Sequence, residues 1–274
     1  TIGTYFLARY CTEQKQYEKA EKLFTKLLNN EELLNSSMKA RFRLELNELQ
    51  VKKATELLQP WHDKPPSKKR TEVAQKVFSI IRPVVHHLPT VSNWATAYKT
   101  YTDALRCLDT KSSKEEGIKF VDHCIAAEMS DEQRDTAILE VVGLLKGYSG
   151  YGIAFKKSEH LRIAKKLSQD VLSRKKEPKE RWGLALSIAD LQASLREYDE
   201  ADDTIEQAVE EMPQFLNTAA YYQQKAAIFV HQGDYKNGVA TLEKALKLKL
   251  NSDERAYIKR TLLEYRSFGS LIHK

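Results

Sequence analysis

QYEKAEKLF, Gln16–Phe24, sets an aromatic residue three positions before a small one, and the small one four before an apolar one. Residues three and four apart share one face of a helix, so Tyr17, Ala20, Phe24 and Leu27 form a single apolar stripe with a small residue at its centre. That small residue lets a second helix approach closely. The pattern returns in EYDEADDTI (Glu197–Ile205), as Tyr198, Ala201, Ile205 and Ala208. It returns again in DYKNGVATL (Asp234–Leu242), as Tyr235, Gly238, Leu242 and Ala245. Ala201 and Gly238 stand 37 residues apart, and 37 further back is Ala164 in HLRIAKKL. A fixed period of this size is the signature of stacked helical hairpins.

At these residues the chain resembles the tetratricopeptide repeat family. Leu7 and Ala8, Ile188 and Ala189, and Ala226 stand where that family puts a Leu and a small residue on the first helix of each hairpin. Pro213 stands where it places a terminal Pro, which stops one helix before the next begins. Lys225 replaces the Leu in the last copy, and Glu32 and Leu250 replace Pro. The resemblance covers residues 1–30 and 180–250. It implies an all-α fold, a right-handed superhelical solenoid of stacked antiparallel helix pairs. The pattern along the whole chain gives about fourteen helices and no strand.

Outward from the repeats, the chain divides into N-terminal hairpins (1–60), a basic connection with an irregular helix (61–91), further hairpins (92–250) and a C-terminal capping helix (251–274), read as one continuous solenoid. Ser36 or Ser37 is placed to cap the helix through MKARFRLELNEL. Ala54 and Leu58 lie 34 residues after Ala20 and Phe24, so KKATELL reads as a second copy after a short turn at Gln50. Pro60, Pro65 and Pro66 then break the helix. A stripe of Val73, Val77, Ile80, Ile81 and Val84 runs from Ser67 to about His87, with Pro83 as a kink or stop. Ser92 is expected to cap the next helix, Gly117, Val121 and Cys124 to form a small-apolar-small stripe, and Asp131 to cap the helix ending near Lys146. GYSGYG (Gly147–Gly152) is the most flexible point. Helices are expected near 157–174, 179–196, 199–211, 215–232 and 235–249. A last one starts at Asn251 or Ser252, its stripe Ala256, Ile258, Leu262, Leu263 and Tyr265 covering the final hairpin.

Composition excludes several classes. With 42% hydrophobic and 30% charged residues over 274 positions, the chain is too apolar for disorder. No apolar run nears the roughly 18 residues that span a bilayer. The chain begins at Thr1 without a leader pattern and so reads as a fragment. Cys11, Cys107 and Cys124 each fall on an apolar helix face and read as free thiols of a reducing compartment, the cytoplasm or nucleus. The net charge of +6 is local: Val51–Thr100 carries nine Lys or Arg against three Asp or Glu.

Catalytic and metal motifs are missing. There is no GxxxxGK[ST], GxGxxG, HExxH or CxxC, and GYSGYG lacks the second Gly of a nucleophile elbow. His86 and His87 point to different helix faces, which argues against one shared metal. The acid pairs Glu115–Glu116 and Asp202–Asp203 suit the first turns of helices. No cofactor or metal is expected, and the chain reads as a non-enzymatic scaffold that holds a partner peptide or helix on a concave surface. Asn217, Tyr221, Gln224 and Lys225 are the candidate groove residues, with Tyr148, Tyr151, Tyr222 and Phe229 as further ring candidates. Tyr5 and Arg9 stand where family members that clamp a carboxylate carry Lys and Asn. Lys68, Lys69 and Arg70, with Lys64, Lys76 and Trp61, offer positive charge and a ring to an acidic partner or to RNA. A regulatory or recruiting region of a larger enzyme is the other reading.

Overall fold

The computed structural model describes residues 2–30, 34–62, 64–86, 93–127, 129–147 and 158–272. The chain splits into two units, residues 1–154 and 155–274. Unit 1 holds α1 (Ile2–Glu13), α2 (Tyr17–Leu28), α3 (Ser36–Leu58), α4 (Lys68–His86), α5 (Trp94–Leu108), α6 (Lys111–Ala126) and α7 (Asp131–Lys146). Unit 2 holds α8 (Ser158–Arg174), α9 (Pro178–Ser194), α10 (Tyr198–Glu211), α11 (Ala219–His231), α12 (Tyr235–Ala245) and α13 (Ser252–Ile272). Short 3-10 turns follow α3 at Gln59–Trp61 and α10 at Pro213–Phe215. Among the described residues there are 13 α-helices and no strand.

Each helix in a unit packs on the next, and alternate helices meet as well, α3 on α5, α5 on α7, and α9 on α11. The odd-numbered helices are therefore the first of each pair and the even-numbered the second. The four small residues singled out by period, Ala20, Ala164, Ala201 and Gly238, are all buried. Gly238 shows why: an added Cβ would lie 2.7 Å from Val230 Cγ2 and 3.2 Å from the Ala226 carbonyl oxygen on the facing helix. Gly117, Val121 and Cys124 share a buried face as their spacing requires.

The three repeats also share one turn. Lys15, Arg196 and Gly233, each two residues before the repeat Tyr, have φ of 56°, 66° and 85°. The next amide reaches back five residues in every case, Gln16 to Cys11 at 2.8 Å, Glu197 to Gln192 at 2.9 Å, and Asp234 to Phe229 at 2.9 Å. This is the left-handed helix end that glycine adopts without cost and that Lys and Arg adopt under strain.

Several local expectations are corrected. There is no turn at Gln50, because α3 runs unbroken for 23 residues through strong helix formers and buries Val51, Lys53, Ala54 and Leu58 on the way. Its cap is Asn35, whose side chain accepts from the Met38 amide at 2.9 Å, not Ser36 or Ser37. Ser130 rather than Asp131 caps α7, in a reciprocal box with Gln133. The helix expected from 215 begins at Ala219, behind the Thr218 cap, and α12 ends at Ala245. Pro83 lies inside α4, which continues to His86. On α13, Ile258 and Leu262 are buried, but Ala256 and Leu263 face outward. Leu7 is exposed as well. Ser92, His87 and the segment 148–152, with Tyr148 and Tyr151, lie outside the described residues.

Candidate interaction surface

Beyond its exposed first turn, helix α9 is enclosed on every side but one. Trp182, Leu184, Ala185, Ile188, Ala189, Leu191, Gln192 and Ala193 are buried, leaving Gly183, Leu186 with Ser187, Asp190 and Ser194 as the more open positions. These are three or four residues apart, so they line up as one stripe along a first helix. One 37-residue period later the same positions on α11 are Ala220, Gln223 with Gln224, Ala227 and His231.

Gly183 is the unusual member. A Cβ at Gly117, Gly143 or Gly238 would fall 2.5 to 2.7 Å from a neighbouring side chain, so packing explains those glycines. A Cβ at Gly183 meets nothing within 4 Å. Glycine inside a helix costs about 0.5–1 kcal/mol relative to alanine, and no neighbouring atom excludes a methyl group at Gly183.

Of the expected groove residues, Tyr221 and Lys225 of α11 bond to α10. The Lys225 ammonium bonds to the Asp202 carboxylate and, at 2.8 Å, to that of Glu206. The Tyr221 hydroxyl donates to Glu206 at 3.2 Å. Burial works to lower the Lys225 pKa, but the hydrogen bonds to Asp202 and Glu206 outweigh it, and the net change is a rise. Asn217 sits in the turn before α11 with φ of 60° and accepts from the Tyr222 hydroxyl at 2.6 Å. The Gln224 side-chain nitrogen is enclosed and has no hydrogen-bond partner among the described residues.

In the basic segment, Lys64 and Lys69 lie 5.0 and 5.5 Å from the centre of the Trp61 ring, within cation–π range. Lys68 is exposed at the start of α4. Arg70 is half-buried and its charge reaches the Cys107 thiol, whose pKa burial nevertheless drives upward.

The sequence reading misses the polar links between helices. Glu116 accepts from Arg82 at 2.8 Å and from the Tyr101 hydroxyl at 3.3 Å, a tie across α4, α5 and α6 rather than a helix-dipole acid. Arg106 pairs with Asp103 and donates to the Glu140 carbonyl oxygen at 3.1 Å, joining α5 to α7 across Gly143. Tyr5 is buried, stacks on Phe42 and donates to Glu45 at 2.7 Å, with the Arg9 guanidinium 3.8 Å from the same carboxylate. Apart from Arg106 and Asp103, neighbours on α5, the hydrogen-bonded partners lie 15 to 40 positions apart, a separation no short pattern covers. Cys11, Cys107 and Cys124 are free and buried, as expected. Among the described residues no helix is long and apolar enough to cross a membrane.

Residues 219–252, which span α11 and α12, match the family model of the tetratricopeptide repeat. No curated protein matches the chain. Among solved structures, that of a tetratricopeptide repeat protein from Parabacteroides merdae ATCC 43184 is similar at 12% identity, covering 96% of this chain and 97% of that one, with a TM-score of 0.29. That score is too low to carry the path of one chain onto the other.

Proposed function

We propose that this chain, which carries a tetratricopeptide repeat at residues 219–252, is a non-catalytic protein-binding module whose working surface is the open stripe along α9 and α11. The partner is an extended peptide or a helix laid across Gly183, Leu186 and Asp190 and their counterparts Gln223 and Ala227. The observation that carries this reading is Gly183. A helical glycine that the fold does not need is explained by close approach of a backbone from outside. The half of Leu186 not packed on the α9–α10 core supplies apolar contact, and Gln223 supplies a donor and an acceptor.

Lys225, Tyr221 and Asn217 act in this reading as the wall between α10 and α11 that fixes the spacing of the stripe. The enclosed Gln224 nitrogen stands next to it. In unit 1, Lys64, Lys68 and Lys76 remain exposed and suit a salt-sensitive contact with an acidic partner. The Trp61 ring, already attended by two ammonium groups, is less suited to stacking a base.

The test compares proteins retained from a native extract by the wild type, by Gly183→Arg, and by Ala240→Arg on the exposed side of α12. The expected result is a set of partners held by the wild type and Ala240→Arg and lost by Gly183→Arg. Equal retention by all three contradicts the reading.

A further inference from the structure

Between α8 and α10, on the side of α9 away from Gly183 and Leu186, lies a cavity of about 190 Å³. Its floor is apolar, with Leu172 from α8, Ala185 and Ile188 from α9, and Ala208 and Met212 from α10. Its rim is polar. The exposed Gln169 and Gln207 flank the mouth, and the ion pair of Arg181 with Glu211 stands at the end where α9 begins and α10 finishes. Arg181 also donates to the Lys175 carbonyl oxygen at 3.3 Å, which holds it in place. Water in this space finds hydrogen-bonding partners at the rim and only apolar side chains on the floor.

The next repeat fills the same position. Tyr222 and Lys225 on α11 follow Ala185 and Ile188 by 37 residues, and Ala245 on α12 follows Ala208 by the same step. Equal spacing puts these side chains on equivalent helix faces. Tyr222 packs on the cluster that contains Ala245, its ring lies 5.2 Å from that of Tyr221, and its hydroxyl donates to Asn217 at 2.6 Å. Lys225 reaches across to Asp202 and Glu206. Ala185 carries a single methyl group where Tyr222 carries a phenol, and the space between α8 and α10 stays open.

We infer that this cavity receives a tyrosine side chain of a partner protein, in the position that Tyr222 takes one repeat later. Size and chemistry agree. An apolar cavity of about 150 Å³ holds one benzene ring, whereas sites for whole small molecules run to about 300–1,000 Å³. A space of about 190 Å³ therefore fits one ring carried on a chain that stays outside. The polar rim selects a ring with a hydroxyl, apolar in its body and wet at its tip. The site does not rest on the open stripe of α9 and α11, which lies on the opposite side of α9.

The probes are p-cresol, N-acetyltyrosinamide and N-acetylphenylalaninamide, followed through the methyl resonances of Ala185 and Ile188. Both phenols are expected to shift these resonances, and the phenylalanine amide to shift them less at equal concentration. Ala185→Tyr, which supplies the ring from α9 as Tyr222 does from α11, is expected to abolish the shifts without lowering the unfolding temperature. Leu172→Phe narrows the same space from α8 and is expected to weaken them, which keeps the test decisive should Ala185→Tyr not fold. Phenols that leave the wild-type methyl groups unmoved, shifts that survive undiminished in either folded variant, or equal shifts from the two amides overturn the inference. So does binding of p-cresol without the tyrosine amide, since the site then serves a free aromatic molecule. Binding that emerges only in Tyr148→Ser with Tyr151→Ser also overturns it, since the chain then fills the site itself.

Discussion

Unit 1 and unit 2 use the same small-residue crossings but differ in what lies between them. Unit 1 has an aromatic centre, with Tyr98, Tyr101 and Phe120 fully buried, Tyr101 and Phe120 at 4.8 Å, and the His86 ring against both. Unit 2 has no fully buried aromatic among its described residues, and its first helices cross on Ala185, Ala189, Ala193, Ala219 and Ala226. Where each pair does the same job with the same small residues, the period survives in the sequence. Where one cluster of unique rings joins α4, α5 and α6, it is lost.

The contrast breaks most readily at Phe120. Phe120→Ala leaves a cavity among rings, and we expect unit 1 to lose about 3–5 kcal/mol. Denaturant unfolding followed at Trp94 reads that loss, while Trp182 in unit 2 serves as the reference. Unit 2 should be sensitive in the opposite sense. Gly238→Val forces a side chain against Val230 and the Ala226 carbonyl, with an expected cost of about 1–3 kcal/mol at Trp182. If enlarging Gly238 is harmless, close helix approach is not what the period encodes.

That contrast also decides what the sequence shows. The stripes around Ala20, Ala201 and Gly238 are local, and they suffice for helices, pairing and a buried face. Gly117, Val121 and Cys124 are legible for the same reason. The Gln50 turn is misplaced because the match of Ala54 and Leu58 to Ala20 and Phe24 fixes a shared helix face and not the point where that helix begins. The bonds of Lys225 to Asp202 and Glu206, 23 and 19 positions away, are invisible in the sequence until the helices are packed. The shared left-handed turn hides behind three different residues, Lys15, Arg196 and Gly233.

That turn sharpens the comparison on a finer scale. Arg196→Gly should stabilise unit 2 by up to about 1 kcal/mol, and Gly233→Ala should destabilise it by a similar amount, both read by thermal unfolding. Effects of the same sign at the two sites would mean that the turns are not equivalent. Lys225→Met should cost about 1 kcal/mol, since the pair it breaks is partly open to solvent. Because the Lys225 pKa is raised in the fold, its contribution is complete below the ordinary lysine value and fades as pH rises through the shifted one. The difference between wild type and Lys225→Met should therefore shrink only in strong alkali. The smallest effect is expected from thiol reagents. Burial pushes the Cys124 thiol up to about 12, and Cys11 and Cys107 are also buried. At pH 8 the native protein should take up no iodoacetamide, while the unfolded chain should react at all three.

The account rests on the open stripe of α9 being kept for a partner, and Gly183→Ala tests this most directly. The added methyl group meets nothing in the fold, so thermal unfolding should show unit 2 stabilised by about 0.5–1 kcal/mol. The same variant should retain the wild-type partners at least several-fold less well. Stabilisation with undiminished partner retention would contradict the assignment of this surface.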